Sequence, residues 1–236
     1  MTELERYFRE KVGLYFHNSA LLQQALTHRS YVNEHPVPPE VPKTELDNER
    51  LEFLGDAVLD IIVAEWLFRQ LPLTREGKLT RLRSALVSTE ALAELSMQLG
   101  FGQWLRLGRG EEEHGGRERQ RTLAGTFEAV CGALYLEQGV DTVRAFALPL
   151  LKPHLDQILA EASDKDAKSR LQEWAHVTLN QTPTYHILEV VGPEHARTFT
   201  VEVRLEDRVV GTGNGSSKHR AEHTAAREAL KALAAG

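Results

Sequence analysis

The sequence predicts two domains, a larger all-α domain followed by a small α+β domain with the element order α-β-β-β-α. Apolar residues recur at helical spacing from residue 3 to about 159, whereas residues 184–213 contain three short runs in which apolar and polar residues alternate. Between these regions, residues 161–168 are small and charged, a composition that suits a linker. We therefore expect a domain at 1–160, a linker at 161–168 and a second domain at 169–236.

Chain length and charge limit the class of protein. A chain of 236 residues with 42% apolar side chains can bury two cores. The net charge of −6 argues against a general nucleic-acid binder, but residues 167–236 hold nine basic and eight acidic residues, so the second domain is not acidic overall. Cys131 is the single cysteine and reads as a core residue. No apolar run reaches membrane-spanning length and no secretion signal begins the chain, so we expect a cytoplasmic protein with no membrane partner.

Proline and glycine bound the helices of the first domain. Residues 33–46 contain four prolines and cannot be helical, and residues 108–120 contain four glycines among charged side chains, which interrupts the periodicity again. The long helices predicted from apolar spacing cover about 47–71, 76–87, 89–98, 122–138 and 140–160.

The second domain has its own element pattern. A helix is predicted over Ser169 to Leu179, and an alanine-rich helix over 217–234. The strands between them are predicted at about 184–191, 197–205 and 208–213, with turns at 192–193 and 206–207.

Three carboxylates give the first functional signal. Glu49, Glu52 and Asp56 are spaced i, i+3 and i+7 within an apolar helical pattern, so they stack along one face of a helix. Carboxylates aligned on so apolar a helix are costly unless their charge is compensated, and a hard divalent cation with oxygen ligands does this. The alternative is a solvated acidic stripe, and spacing alone does not decide between the two.

The segment Asn48–Asp56, with the sequence NERLEFLGD, resembles the signature of the ribonuclease III family. Residues 26–31, 77–87 and 108–111 are similar to other segments of that family, so the resemblance covers essentially the whole chain. It implies an all-helical endonuclease domain that forms a homodimer, joined to a double-stranded RNA-binding domain. Phe53 and Leu54, beside the carboxylates, are candidates for the dimer interface because a large apolar patch usually needs a partner.

The resemblance also assigns the metal centre. It implies that Glu49, Glu52, Asp56 and Glu128 bind metal and that Glu49, Asp56 and Glu128 are catalytic, with Glu76 in a supporting position. The expected cofactor is Mg²⁺, for which Mn²⁺ can substitute, and no small-molecule cofactor is expected. A Mg²⁺ ion held by carboxylates can activate a water molecule and neutralise charge on the leaving oxygen, so no protein nucleophile is required.

Gly125 departs from the family pattern. The family normally has an aspartate at this metal-ligand position, which lies three residues before Glu128 on the same helix face. Glycine removes one oxygen ligand and costs about 0.5–1 kcal/mol in a helix interior relative to alanine. Two accounts stay open: a natural variant that uses water or Glu76 instead, or an engineered change that suppresses cleavage.

The second domain resembles the double-stranded RNA-binding domain through its element order and through residues 211–222, which open the last helix. Lys218, His219 and Arg220 combine side-chain cations with the backbone N–H groups of a helix start, which suits phosphates. The family usually has a second lysine where this chain has His219. The alternative is a solvated basic helix end. By resemblance, the RNA-contacting residues also include Gln172 and Glu173 in one minor groove and His195 in the other.

The expected function is therefore a Mg²⁺-dependent endoribonuclease of double-stranded RNA. The resemblance implies 5′-phosphate and 3′-hydroxyl ends with a short 3′ overhang, and a role in processing precursors of rRNA and of other structured RNA such as mRNA and tRNA. The main alternative is a double-stranded RNA-binding protein that has lost cleavage through Gly125. A helical protein–protein module would fit the first domain but leaves the second unexplained.

Overall fold

The computed structural model describes residues 1–36, 39–193 and 197–234, without the side chains of 161–166 and Ala234. The chain forms two compact units, Met1–Leu155 and Asp156–Gly236. Helix covers residues 161–168, where composition suggested a linker, and the alanine, glutamate and lysine in this segment are good helix formers. The predicted division at 1–160, 161–168 and 169–236 stays a prediction.

The first unit is helical, as predicted. The long helices at 47–71, 76–87, 89–98 and 122–138 are confirmed to within about two residues. A short helix, α7, occupies part of the glycine-rich segment that was expected to be irregular, and Val37 and Pro38 of the expected loop lie outside the described residues. The α-helices are α1 Glu3–Tyr7, α2 Ser19–Ala25, α3 Arg29–Glu34, α4 Glu49–Gln70, α5 Glu76–Leu86, α6 Thr89–Gln98, α7 Arg109–Glu113, α8 Gln120–Gln138 and α9 Val140–Leu179.

Helix α8 is the centre of the first unit. All its residues from Leu123 to Leu134 are buried except Glu128. The buried set includes Cys131, as predicted. Its main partner is α4, which buries Leu51, Gly55, Leu59 and other residues of one face.

The backbones of α4 and α8 touch at two glycines. A Cβ atom at Gly55 would overlap the carbonyl oxygen of Glu128, and a Cβ atom at Gly132 would overlap the carbonyl oxygen of Leu51. No other residue type fits at either position without moving a helix backbone. This close approach determines which side chains of the two helices lie near each other.

The second unit has the predicted α-β-β-β-α order, with the end of α9 as its first helix. An antiparallel sheet in the order β1-β2-β3 follows, formed by Thr184–Val191, Thr198–Leu205 and Arg208–Gly215, and then α10 over Lys218–Ala234. Leu171, Val203 and a row of alanines on α10 form the core. Helix α10 lies directly on β3, because a Cβ at Gly213 would overlap the backbone of Ala225.

Within the described residues, no helix is long and apolar enough to cross a membrane. The expected cytoplasmic location stays a prediction.

The glycine contact between α4 and α8 makes a prediction about stability. We expect Gly55→Ala to lower the free energy of unfolding by about 3 kcal/mol, the upper part of the range for overpacking, because the added methyl group meets backbone. Gly77→Ala, in α5, is the matched control: its Cβ would meet only an arginine side-chain atom at 3.8 Å, so it should stabilise by about 0.5–1 kcal/mol. Urea unfolding followed by circular dichroism checks both, and equal effects would contradict the close packing.

Candidate functional site

The carboxylates of α4 and α8 come together because the glycine contact joins the two helices. Asp56 follows Gly55 directly, and Gly55 touches the backbone of Glu128. Glu52 lies one turn earlier on the same face of α4. Glu52 and Glu128 are half-buried, whereas Asp56 is exposed. The structure therefore places three of the four carboxylates expected from the sequence around one helix contact, near enough for the charges of Asp56 and Glu52 to act on Glu128.

The carboxylate cluster carries uncompensated negative charge. The pKa of Glu128 is raised to about 8, first by burial and then by the negative charges of Asp56, Glu52 and Asp60, in that order of importance. Burial also raises the pKa of Glu52, with a further rise from Glu49 and an opposing effect of Arg121. These shifts indicate that the charged forms of Glu52 and Glu128 are poorly solvated and repelled by neighbouring carboxylates.

Asp60 was not predicted from the sequence. It lies four residues after Asp56 on α4, so helical spacing extends the acidic face to it. Its Oδ1 lies 3.5 Å from Nε of Arg83, which partly neutralises it. Asp60 therefore adds negative charge near Glu128, and its spacing was the signal that could have revealed it.

Gly125 is buried directly beneath the Glu52 carboxylate. A Cβ at residue 125 would lie 2.7 Å from Oε2 and 2.8 Å from Cδ of Glu52. The Glu52 carboxylate therefore occupies the space that a side chain at 125 would need. Since that carboxylate is the end of a flexible side chain, a longer residue at 125 requires Glu52 to swing aside and leaves the helix backbones in place.

The donor chemistry suits a hard divalent cation, but the donor set is incomplete. Carboxylate oxygens are the ligands that Mg²⁺ and Mn²⁺ prefer, and the raised pKa of Glu128 shows that a cation would relieve repulsion there. Across the described part of the chain, however, no three His, Cys, Asp or Glu side chains are close enough to form a metal-binding group. Gly125 offers no side-chain oxygen beside the Glu52 carboxylate.

Glu49 and Glu76 differ from the other predicted carboxylates. Glu49 is exposed, and its Oε1 lies 3.1 Å from Nη1 of Arg29 in an ion pair. Glu76 is exposed at the start of α5 and accepts a hydrogen bond of 2.8 Å from the Thr80 hydroxyl. Glu49 therefore borders the cluster through Glu52, and the supporting role of Glu76 stays a prediction.

A cleft of about 370 Å³ adjoins the cluster on the side of Glu49 and Glu52. Arg29, Arg119 and Arg121 line it, and the sequence reading missed all three. Arg119 forms an ion pair with Glu111, whereas Arg121 has no ion pair with any described residue. Guanidinium groups suit phosphate oxygens, and the cleft places three of them beside the carboxylates. The remaining lining residues are His28, Asn48, Glu49, Glu52, Glu111 and Thr122.

His28 has a structural role at this cleft. Its Nδ1 accepts a hydrogen bond of 3.3 Å from the backbone N–H of Ser30 and caps the start of α3. Burial lowers the pKa of His28, which favours the neutral ring.

In the second unit, the predicted basic residues are exposed at the start of α10. Lys218 Nζ lies 3.9 Å from Oε1 of Glu222, and Arg220 donates a hydrogen bond of 3.3 Å to the hydroxyl of Ser216. The Ser217 hydroxyl accepts from the backbone N–H of Arg220 and so caps the helix. The cationic side chains therefore stand beside a capped helix start on the protein surface.

The other predicted RNA contacts are only partly described. Gln172 and Glu173 are exposed on α9, while His195 lies outside the described residues. His219 is exposed, and its Nε2 lies 3.1 Å from Nε2 of His223, a contact that the sequence reading missed although the spacing of four residues signals it. The RNA-contacting roles of these residues stay predictions.

Each of the two units matches a known protein family. The ribonuclease-III-like family model matches residues 18–155, and the double-stranded RNA binding motif matches 167–233. The chain is 46% identical over 227 residues to ribonuclease 3 of Roseiflexus sp. (strain RS-1), covering 96% of this chain and 94% of that protein. It is also 46% identical over 231 residues to ribonuclease 3 of Bacillus cytotoxicus, covering 98% and 92%.

A solved structure is also similar to the first unit. The nuclease domain of ribonuclease III from Campylobacter jejuni, studied for flexibility in a region involved in dimer formation, matches with 35% identity and a TM-score of 0.55. The match covers 62% of this chain and 95% of that one.

The raised pKa of Glu128 makes a prediction about pH. The folded protein holds a proton on Glu128 up to about pH 8, whereas an unfolded glutamate loses it near its ordinary value of 4.5. The resulting stabilisation is fully present below pH 4.5 and is lost as the pH rises to about 8. In EDTA, we expect the Tm of the wild type to fall across this window more steeply than the Tm of Glu128→Gln. If the Tm of the wild type and the Tm of Glu128→Gln change equally with pH, Glu128 is not desolvated as described.

Proposed function

The chain belongs to the ribonuclease III family, and on that premise we propose that it is a metal-dependent endoribonuclease that cleaves double-stranded RNA. The single observation that carries the proposal is the meeting of Glu52, Asp56 and Glu128 at the contact between α4 and α8, beside a cleft lined with arginine. A fold of the double-stranded RNA-binding type in the same chain supports the substrate class.

Glu52, Asp56 and Glu128 would hold the divalent cation, which we propose to be Mg²⁺, with Mn²⁺ able to replace it. When bound, the cation would supply Lewis-acid chemistry: a lowered pKa for water and neutralisation of charge on the phosphate and leaving oxygen. The carboxylates must lose the Glu128 proton before they bind the cation, because a protonated carboxyl group is a poor ligand. We propose Glu49 as a further catalytic residue that acts from the rim of the cluster, where Arg29 holds it.

Arg121 would orient the RNA backbone. It lies on α8 four residues before Gly125, so both occupy one face of the helix, and it lines the cleft next to Glu52. A phosphate bound by this guanidinium would lie beside the carboxylates. Its cleavage would require no protein nucleophile. We expect 5′-phosphate and 3′-hydroxyl ends with a short 3′ overhang, in processing of rRNA precursors and other structured RNA.

The second domain would supply affinity for duplex RNA. Lys218, His219 and Arg220 are exposed together at the start of α10, where side-chain cations and the helix dipole act on the same phosphates. Gln172 and Glu173 on α9, and His195, would reach the two minor grooves. Recognition of this kind depends on the A-form shape and not on base sequence.

A second candidate function is binding of double-stranded RNA without cleavage. The observation that favours it is Gly125, together with the lack of a three-residue metal-binding group in the described ranges 1–36, 39–193 and 197–234. The retained Glu52, Asp56 and Glu128 favour the enzyme.

We further propose that the nuclease domain forms a homodimer through Phe53. This side chain is 80% exposed on α4 and belongs to a larger apolar surface, which is the kind of patch that marks an interface. It borders an apolar cleft of about 650 Å³ that also contains Leu21, Leu54 and Leu136. In a two-fold symmetric interface one patch must be complementary to itself, and a projecting aromatic ring beside an apolar cleft meets that requirement. Leu54, half-buried in the cleft wall, would contact the partner's ring.

The role of residue 125 can be tested by cleavage of a labelled RNA duplex across a Mg²⁺ titration. We expect this chain to cleave poorly at low Mg²⁺ and to recover partly at high Mg²⁺, because mass action offsets lost affinity. Gly125→Asp should cleave better at low Mg²⁺, whereas Glu128→Gln should be inactive throughout. RNA binding should be equal for all three. Equal cleavage by the wild type and Gly125→Asp at low Mg²⁺ would exclude residue 125 as a ligand position.

The dimer interface can be tested by sedimentation. We expect Phe53→Ala to weaken self-association on the order of tenfold or more, since truncating a buried aromatic anchor commonly costs 2 kcal/mol or more, by rough interface averages. Phe68→Ala is the matched control, because Phe68 is on the same helix and 71% exposed but does not line the cleft. A monomeric wild type at micromolar concentration, or equal effects of the two variants, would refute this interface.

The phosphate contact of Lys218 can be tested through salt dependence. We expect Lys218→Ala to weaken duplex RNA binding and to reduce the slope of log affinity against log salt by about 1, because one fewer counterion is released. Lys231→Ala, in the last turn of α10 with its Nζ 2.8 Å from Glu228, should leave the slope unchanged. An unchanged slope for Lys218→Ala would remove it from the RNA contacts.

A further inference from the structure

Two histidines on α10 face each other with their ring nitrogens in contact. His219 and His223 are four residues apart, so both lie on one face of the helix. Their Nε2 atoms are 3.1 Å apart, while the ring centroids are 4.2 Å apart with the ring planes at 69°. Because the nitrogens are closer than the centroids, the Nε2 atoms lie on the sides of the rings that face each other.

This separation is compatible with a shared metal ion. A Zn²⁺ ion bonds to imidazole nitrogen at about 2.0–2.1 Å, and two such bonds to nitrogens 3.1 Å apart enclose an angle of about 100°, near the tetrahedral value. Two histidines at i and i+4 on one helix are a known arrangement for binding zinc. A simple hydrogen bond between the rings is the competing explanation, with one Nε2 as donor and the other as acceptor.

We propose that His219 and His223 form a binding site for a divalent transition metal that favours imidazole, with Zn²⁺ as the first candidate. His223 is 2% exposed, which fixes its ring, whereas His219 is exposed and can swing outward to admit the ion. Two protein ligands leave the remaining coordination positions to solvent. This site is separate in chemistry from the carboxylate cluster of the first unit, which offers oxygen donors suited to Mg²⁺.

The site has a consequence for the proposed RNA-binding role, on which this step rests. His219 stands between Lys218 and Arg220 at the exposed start of α10. A bound ion would place two positive charges there and present open coordination positions that a phosphate oxygen can fill. We therefore expect Zn²⁺ to tighten binding of duplex RNA to this chain.

Calorimetric titration of the full chain with Zn²⁺ tests the site without RNA, in Mg²⁺ at a concentration high enough to saturate the carboxylates. We expect H223Q and H219K each to lose Zn²⁺ affinity by more than the roughly 10–100-fold that loss of an outer-shell partner costs. H176Q is the matched control, since His176 is an exposed histidine of the same unit. Imidazole ¹⁵N spectra of the wild type should show a zinc-dependent shift at both Nε2 atoms.

Three results would contradict the proposed zinc site or its coupling to RNA. Equal Zn²⁺ affinity for the wild type and H219K would overturn the site, and H219K changes an exposed residue whose replacement leaves the core intact. If neither Nε2 resonance of the wild type moves with Zn²⁺, the contact between the two rings is a hydrogen bond and not a metal site. Zn²⁺ binding with no zinc-dependent gain in RNA affinity, relative to H223Q, would overturn the coupling to RNA.

Discussion

The backbone contact between α4 and α8 is the constraint on which the first unit depends. Gly55 and Gly132 each lie against a carbonyl oxygen of the other helix. Interhelical distances are usually set by side chains at 8–10 Å, so removing both side chains brings the helices unusually close. The result is that carboxylates rooted on different helices share one small volume. The nuclease site is thus a consequence of core packing, not of a loop.

The same contact creates an electrostatic cost. Glu52 and Glu128 are half-buried near Asp56 and Asp60, and the pKa of Glu128 rises to about 8 because its charged form is poorly solvated and repelled. A protein keeps such an arrangement when function requires it, since strongly shifted groups cluster at functional sites. Gly125 adds neither charge nor oxygen to the cluster, and the Glu52 carboxylate occupies the space that a side chain at 125 would need.

The sequence predicted the fold and much of the site, for reasons that differ between residues. Helical periodicity located α4 and α8, and alternation located the strands, because burial of one face leaves a direct trace in the order of residues. The spacing of Glu49, Glu52 and Asp56 predicted a shared face, but it did not show that Glu49 would be held outward by Arg29. Asp60 and Arg121 contribute charge from other turns of α4 and α8, and their effect depends on distances across the helix contact, which no local pattern contains. The contact between His219 and His223 was readable as a spacing, but its nitrogen separation was not.

The central claim is that α4 and α8 together hold one divalent cation, one ligand short because of Gly125. Anomalous diffraction from crystals grown with Mn²⁺ tests this most directly, since the ion is located independently of activity. The account predicts one peak per nuclease domain within about 2.0–2.3 Å of oxygens from both Glu52 or Asp56 on α4 and Glu128 on α8, with higher occupancy in Gly125→Asp at the same Mn²⁺ concentration. A peak bound by one helix alone, or equal occupancy in the two proteins, would contradict it.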